Sequence, residues 1–311
     1  MIEARKLTKR YGSLNAVNAL SFNVGPGEVL GFLGPNGAGK TTTMRMLVGF
    51  VPPTSGSAHV NGLSIDEQPT QVKSIIGYLP EGAPSYGEMT PLEFLNFIAD
   101  IRKLTGRNKT SRMSDVIERL HLEPVLNQTI DTLSKGFKRR VGLAQAILHD
   151  PPVLIMDEPT DGLDPNQKHE VHQLIEDMAA DKIIVISTHI LEEVEVVCSR
   201  AIIISHGSIV ADDTPDALMR RSRFHNAVTM RFQPGDNVNV AEEMLKRLNG
   251  VREVEINRHT RSITAFPCDG QAILSDISQL AAEHSWGLEE LHLESGRFDE
   301  VFRSITEQAV S

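Results

Sequence analysis

The stretch VLGFLGPNGAGKTTTMRMLVGF, residues 29–50, joins an apolar run, a glycine-rich loop and a helical pattern. Gly34, four further residues, and then Gly39, Lys40 and Thr41 have the spacing of a phosphate-binding loop. Glycines let the backbone curl so that its N–H groups point at the phosphates. Lys40 adds a positive charge, and the hydroxyl of Thr41 can bind Mg²⁺. Because a strand is predicted before the loop and a helix after it, the stretch predicts a nucleotide-binding α/β fold.

Two further apolar runs predict parallel strands of the same sheet. VLIMD, residues 153–157, and IIVIS, residues 183–187, are almost continuously apolar. Such runs are typical of strands that are covered on both faces. The intervening residues 166–181 have a helical pattern, which predicts the right-handed crossover between two parallel strands.

Candidate catalytic side chains follow both of these strands. The first ends in the adjacent carboxylates of Asp157 and Glu158, which are costly to bury unless they have a function. Asp157 is placed to hold Mg²⁺, and Glu158 is placed to polarise an attacking water as a general base. His189 follows the second strand and should face the same crevice as the phosphate loop. We predict that His189 contacts the γ-phosphate of a bound nucleotide.

The rest of the chain predicts a helical insertion and a second domain. Residues 89–106 open with a capping box at Thr90, and Gly106 is expected to end that helix. With the helical pattern that follows, this predicts an insertion over about residues 88–150. From residue 222 the patterns follow a β-α-β-β-α-β order, which is typical of a split βαβ sandwich.

The predicted architecture therefore has two domains. Residues 1–221 form an α/β phosphate-loop domain with a mixed sheet and the helical insertion, and residues 222–311 form a small α+β domain.

Composition excludes several classes of protein. The chain has 311 residues and a formal net charge of −10, so it lacks the basic excess of nucleic-acid-binding proteins. Its two cysteines are too few for a disulfide framework or a zinc cluster, and they fit a reducing cytoplasm. Residues 1–13 lack the apolar run of a signal peptide. The longest apolar runs fall far short of the roughly 20 residues that span a bilayer. We expect that the chain does not cross a membrane by itself.

A second candidate anion site lies in DTLSKGFKRRVGLAQAIL, residues 131–148, where Ser134 and Gly136 precede a predicted helix. The phosphate loop, LSKGF, MDEPTDGLD and STH occur in this order along the chain. Together they resemble the nucleotide-binding domain of ABC (ATP-binding cassette) proteins over residues 1 to about 220. The signature LSKGF differs from the common LSGGQ at Lys135 and Phe137.

The resemblance implies ATP and Mg²⁺ as ligands and gives roles to particular residues. Tyr11 matches the aromatic that stacks on adenine, and Glu81 stands where the family usually has a glutamine that reaches Mg²⁺ or the attacking water. The residues expected to contact ATP within the loop are Asn36, Gly37, Gly39, Lys40, Thr41 and Thr42. The expected Mg²⁺ ligands are Thr41, Glu81 and Asp157.

The resemblance also implies a head-to-tail dimer with a second copy or a related cassette. Ser134 and Gly136 would then clasp the partner's ATP, and Asp164 would lie across the seam. Lys135 could add positive charge near those phosphates.

The implied function is ATP hydrolysis that drives a membrane permease on a separate chain. The permease would dock near residues 81–105, so the chain would lie on the cytoplasmic face of the cell membrane and contact the bilayer only indirectly. FDEVFRSIT, residues 298–306, resembles the closing segment of export-type cassettes, such as those for gliding motility, drugs or polysaccharides.

Two alternatives remain. A soluble ABC ATPase acting on ribosomes or DNA would have a long coiled coil, zinc cysteines or two cassettes, and the acidic balance also disfavours it. A non-hydrolysing, ATP-gated regulatory module is disfavoured by the intact Lys40, Glu158 and His189.

Overall fold

The chain consists of two compact units. The computed structural model describes residues 1–82, 86–268 and 270–308. Their contacts separate a first unit, Met1–Thr214, from a second, Pro215–Glu307. The division falls after Thr214, whereas the sequence pattern places the boundary after residue 221. A short helix that begins at Pro215 belongs to the second unit, and it moves the boundary towards the N-terminus.

The first unit contains ten strands and seven α-helices among its described residues. The strands are β1 Ile2–Tyr11, β2 Leu14–Val24, β3 Val29–Leu33, β4 Ser55–Val60, β5 Leu63–Ser64, β6 Ile76–Leu79, β7 Val153–Asp157, β8 Ile183–Thr188, β9 Arg200–Ser205 and β10 Ser208–Asp213. The helices are α1 Lys40–Leu47, α2 Pro69–Ile75, α3 Pro91–Ile101, α4 Gly106–Arg119, α5 Lys135–Ile147, α6 Pro165–Ala179 and α7 Leu191–Val197. Two 3₁₀ turns, Glu123–Val125 and Ile130–Thr132, lie between α4 and α5.

A six-stranded sheet brings the predicted site residues to one edge. Its order is β10-β9-β3-β8-β7-β6, with β10 antiparallel to β9 and the other neighbours parallel. The register pairs Leu33 with Thr188 and Asp157 with Ser187, so the carboxyl ends of β3, β7 and β8 are aligned. The phosphate loop leaves the sheet at this same edge. The predicted α/β fold with a mixed sheet is confirmed.

A second, antiparallel sheet of order β2-β1-β4-β5 shares a core with the first. Phe22 of this sheet packs edge to face on Phe32 of β3, with ring centroids 5.0 Å apart. The GPG turn at residues 25–27 therefore links strands of different sheets and does not make a hairpin. The core that joins the two sheets and α1 fixes where the phosphate loop lies.

The predicted helical insertion contains α3, α4 and α5. Thr90 and Glu93 form the predicted capping box at the start of α3. Gly106 does not end this helix, as the sequence pattern suggested, but is the first residue of α4. The chain reverses earlier, at Lys103, which has a positive φ of 59°. Arg102 fixes the end of α3 by donating hydrogen bonds to the carbonyls of Lys73 (2.7 Å) and Ile76 (3.2 Å).

The second unit has the predicted β-α-β-β-α-β order between two further helices. Its elements are α8 Pro215–Met219, β11 Val228–Phe232, α9 Val238–Leu245, β12 Val251–Asn257, β13 Ser262–Pro267, α10 Leu274–Glu283 and β14 Leu288–Leu293, followed by α11 Phe298–Gln308. The sheet order is β12-β13-β11-β14, and every neighbouring pair is antiparallel. Within the described ranges, no helix combines the length and apolar character needed to cross a bilayer.

Candidate functional site

A cavity of about 390 Å³ lies over the phosphate loop. Its walls come from four separate parts of the sequence, and they include most of the residues predicted to bind ATP. The lining residues are Tyr11, Leu14, Ala16, Asn36, Gly37, Ala38, Gly39, Lys40, Thr41, Thr42, Glu81 and Glu158. Tyr11 is 48% exposed at this site, and the ammonium group of Lys9 lies over its ring, 5.2 Å from the centroid.

The phosphate loop has the backbone geometry of an anion cradle. Gly37 and Gly39 have φ values of 81° and 107°, which other residues rarely adopt. A Cβ on Gly39 would also collide with the carbonyl oxygen of Ala16, so glycine is required there. Lys40 is the first residue of α1 and is only 7% exposed. Its ammonium group donates to the carbonyl of Gly34 at 2.6 Å.

Lys40 is a buried cation surrounded by acidic groups. Burial lowers the pKa of its ammonium group, while Glu158, Asp157 and Glu81 act in the opposite direction. The neutral carbonyl that it now contacts is a weaker partner than an anion. The ammonium group of Lys40 is therefore placed to exchange the carbonyl of Gly34 for a phosphate oxygen as its acceptor.

Asp157 offers an unsatisfied oxygen at the end of β7. The residue is 1% exposed, and Ser187 donates a hydrogen bond to its Oδ1. None of the described residues donates to its Oδ2, although that atom is buried. A buried carboxylate oxygen without a partner is costly, and a cation would satisfy it. With Thr41 and Glu81 in the cavity wall, the available ligands are all oxygens, the type that Mg²⁺ prefers.

Glu158 and His189 form a pair beside the cavity. The imidazole Nδ1 of His189 lies 2.7 Å from Oε2 of Glu158. Burial raises the pKa of the Glu158 carboxyl, and the neighbouring His189 and Lys40 oppose that rise. Glu158 has a positive φ of 53°, an uncommon conformation for a residue with a side chain. The carboxylate of Glu158 can accept a hydrogen bond from a water molecule. It can then take the proton of that water when the water attacks.

The signature residues lie apart from this cavity. Of the described residues, Ser134, Gly136 and Asp164 do not line it. The Ser134 hydroxyl caps α5 by accepting from the N–H of Phe137 at 3.3 Å. Asp164 caps α6, and both capping residues are exposed. A Cβ on Gly136 would lie 2.5 Å from Oε1 of Gln167, so the starts of α5 and α6 are closely packed.

Lys135 lines a smaller cavity of about 230 Å³ beside the start of α5. Lys138 and Arg139 line it too, together with Asp161 and Gly82. The side chains of this cavity carry more positive than negative charge, which suits an anion.

Arg139 on α5 contacts the backbone beside the site and was not identified in the sequence analysis. It is 5% exposed, and among the described residues its guanidinium group donates only to backbone carbonyls. The acceptors are the carbonyls of Pro80, Gly82, Asp157, Glu158 and Pro159. Arg139 thus holds the loop of Glu81 against the end of β7. The sequence did contain a signal for Arg139. The residue shares one buried helix face with Gly136 and Leu143, and an apolar residue is expected on such a face.

We expect Arg139→Leu to lower the free energy of unfolding by about 3 kcal/mol, because buried carbonyls would lose their donors. Urea unfolding would measure this. Lys138→Leu is the matched control, since that ammonium group donates to the single carbonyl of Asp131. Equal losses in the two variants would contradict the role given to Arg139.

Comparison with known proteins agrees with this geometry. A family profile described as ABC transporter matches residues 17–161. The linearmycin resistance ATP-binding protein LnrL of Bacillus subtilis is 30% identical over 98% of this chain and 98% of its own length. The bacitracin transport ATP-binding protein BcrA of Bacillus licheniformis is 35% identical over 83% and 82%, respectively.

Other relatives match only in part or only in fold. The probable multidrug ABC transporter ATP-binding protein YbhF of Escherichia coli is 36% identical over 71% of this chain, which spans only 38% of that protein. A solved ATP-binding subunit of an ABC transporter is 31% identical with a TM-score of 0.67, over 71% of this chain and 92% of that one. The dimeric cassette MJ0796, at 23% identity and a TM-score of 0.64 over 69% and 99%, supports the fold alone. The chain belongs to the family of ABC transporter ATP-binding proteins.

Proposed function

We propose that this chain is the ATP-hydrolysing subunit of an ABC exporter and drives a permease on a separate chain. The observation that carries the proposal is the Glu158–His189 pair, with 2.7 Å between Oε2 and Nδ1, next to the phosphate loop. A module that only bound ATP would need the loop but not this pair.

The predicted site residues have separate roles in the proposed hydrolysis. Tyr11 stacks on the base, and Lys40 and the loop N–H groups bind the phosphates. Thr41, Asp157 and Glu81 would hold Mg²⁺, which neutralises charge on the phosphate oxygens when it is bound. Glu158 takes a proton from the attacking water. In this proposal His189 orients the Glu158 carboxylate through its 2.7 Å contact and also binds the γ-phosphate.

Two exposed residues of the signature support a composite site between two chains, although Gly136 is buried. Ser134 and Lys135 are exposed, and they lie outside the chain's own nucleotide cavity. In a head-to-tail pair the start of α5 would meet the partner's γ-phosphate, and Asp164 would lie at the seam. The partner is a second copy of this chain or a related cassette.

We expect Ser134→Ala to lower kcat by about 10- to 100-fold, because a hydrogen bond to a charged phosphate contributes about 1.5–3 kcal/mol. The Kd of the monomer for MgATP should change less than about twofold, since the hydroxyl serves the partner's site. Ser111→Ala, an exposed serine on α4, is the control. A large loss of monomer affinity would contradict the composite site. The lost helix cap costs about 1 kcal/mol, so unfolding is measured in parallel.

A groove beside the Glu81 loop supports a permease as partner. Two adjoining cavities of about 620 and 650 Å³ share Phe50, Tyr78 and Ile98. Phe50 and Ile101 are 69% and 58% exposed, although exposed apolar groups are costly unless a partner covers them. The cationic lining residues of the two cavities are Arg45, Lys73, Arg102 and Lys103. An amphipathic permease helix with acidic residues would fit. Of the predicted docking region, residues 83–85 lie outside the described residues.

Export as the direction of transport is supported by the relatives. LnrL is named for linearmycin resistance and BcrA for bacitracin transport, and both match most of this chain. The chain would lie at the cytoplasmic face of the cell membrane, held there by its permease.

Affinity purification from detergent-solubilised membranes tests this function. The tagged chain should recover a protein with several membrane spans, identified by mass spectrometry. Ile101→Asp should lose that protein, because it replaces an exposed apolar contact with a negative charge that repels the acidic residues of the proposed permease helix. Val196→Asp, at a 59% exposed position on α7, should retain it. Recovery only with ribosomal or DNA-associated proteins would overturn the transporter function.

A further inference from the structure

Glu193 is a buried carboxylate to which no step of the proposed hydrolysis gives a role. It lies on α7, directly after the loop of His189, and is 3% exposed. Burying a charge is costly unless it is paired and hydrogen-bonded. Glu193 is fully engaged, because it accepts from the hydroxyls of Thr160 and Thr188 (2.8 Å) and from the ammonium group of Lys168 (3.3 Å).

The three donors come from three segments of the site. Thr160 lies two residues after Glu158, and Thr188 directly precedes His189. Lys168 lies in the first turn of α6, and its N–H donates to the carbonyl of the capping residue Asp164 at 2.9 Å. One carboxylate therefore joins the segments that carry the general base, the histidine and the seam residue.

The end of β8 is held on both of its faces. On one face, the Ser187 hydroxyl donates to Asp157, and the Ser187 carbonyl accepts from the N–H of Glu158 at 3.0 Å. On the other, the Thr188 hydroxyl donates to Glu193. Because strand residues alternate in direction, the two side chains that precede His189 are held on opposite faces of the sheet.

Net stability is a weak explanation for this cluster. A buried carboxylate paired with a lysine that is 30% exposed contributes little net free energy, since desolvation offsets the attraction. Position is a stronger explanation, because a displacement of about 1 Å in catalytic groups can cost about 100-fold in rate.

We propose that Glu193 is a positioning residue for ATP hydrolysis, holding the Glu158–His189 pair in a fixed place relative to the start of α6 at Asp164. The inference rests on the proposed function, since it requires hydrolysis at Glu158. It assigns Glu193 no contact with ATP. The residue should therefore affect kcat and leave nucleotide affinity unchanged.

The test compares Glu193→Gln with Glu192→Gln in the purified full chain. Glutamine keeps the size of the side chain but cannot accept all three bonds, whereas Glu192 is exposed and serves as the matched control. We expect kcat to fall about 10- to 100-fold in Glu193→Gln, with the Kd for MgATP within about twofold of the parent. Glu192→Gln should match the parent in both. An unchanged kcat in Glu193→Gln, or an equal loss of kcat and affinity, would overturn the proposal.

Lys168→Met provides a second test, and its own kcat is sufficient for that test if Glu193→Gln fails to fold. This change removes only the link to α6, from a partly exposed side chain. We expect a smaller fall in kcat, and no further fall when it is combined with Glu193→Gln. Additive losses, or an unchanged kcat in Lys168→Met, would overturn the proposed link. A parent chain that binds MgATP but does not hydrolyse it would instead reject the proposed function, which separates the two failures.

Discussion

Glu158→Gln is expected to lower kcat for ATP hydrolysis by about 100- to 10,000-fold, the range that a general base contributes. The glutamine keeps the shape of the side chain and can still contact His189, but it cannot take a proton from water. Nucleotide binding should persist, because Lys40 and the loop are unchanged. ATP should then hold two chains together, and light scattering should detect a dimer that requires MgATP.

Glu176→Gln is the matched control, since this carboxylate is exposed on α6. It should hydrolyse ATP at the parent rate and form no lasting dimer. If Glu158→Gln also hydrolyses ATP at the parent rate, Glu158 is not the base, and the pair with His189 has another role.

Lys40→Ala should weaken MgATP binding by about 10- to 150-fold and abolish measurable hydrolysis. The estimate follows from the roughly 1.5–3 kcal/mol of a hydrogen bond between charged groups. Lys40 is buried at the start of α1, where the loop N–H groups alone would remain to bind phosphate. Isothermal titration with MgATP measures the affinity, and phosphate release measures the rate.

Lys246→Ala controls for the loss of a positive charge, because Lys246 lies in the second unit and pairs with Glu242 at 2.6 Å. It should leave both affinity and rate unchanged. Parent-like affinity in Lys40→Ala would show that phosphate is held elsewhere, and the cavity over the loop would lose its assignment.

Local patterns were sufficient to predict the central strands and the motifs they carry. The run at 29–33, the loop after it and α1 are consecutive in the sequence, so their order alone predicts their geometry. The same holds for β7 and β8, whose apolar residues match strands buried on both faces. Parallel pairing then brings Asp157 and His189 to one edge of the sheet.

Features that depend on distant partners could not be predicted in this way. The acceptors of Arg139 lie 18 to 59 residues away, and the donors to Glu193 lie up to 33 residues away. The place of Arg139 on a helix face with Gly136 and Leu143 is a local signal that it is unusual, but no local pattern identifies the partners of Arg139 or Glu193. The GPG turn at residues 25–27 joins strands of two different sheets, which pack on each other across a shared core. Gly106 is typical of a helix end, but the reversal at Lys103 precedes it.

Arg139 connects the loop of Glu81 to the strand that precedes Glu158. Its guanidinium group donates hydrogen bonds to the carbonyls on either side of Glu81. The same group donates to the carbonyls of Asp157 and Glu158 at the end of β7. A force that a permease applies to the groove would therefore reach the backbone of Glu158 through the hydrogen bonds of Arg139. Docking of the permease and hydrolysis of ATP would therefore be coupled through Arg139.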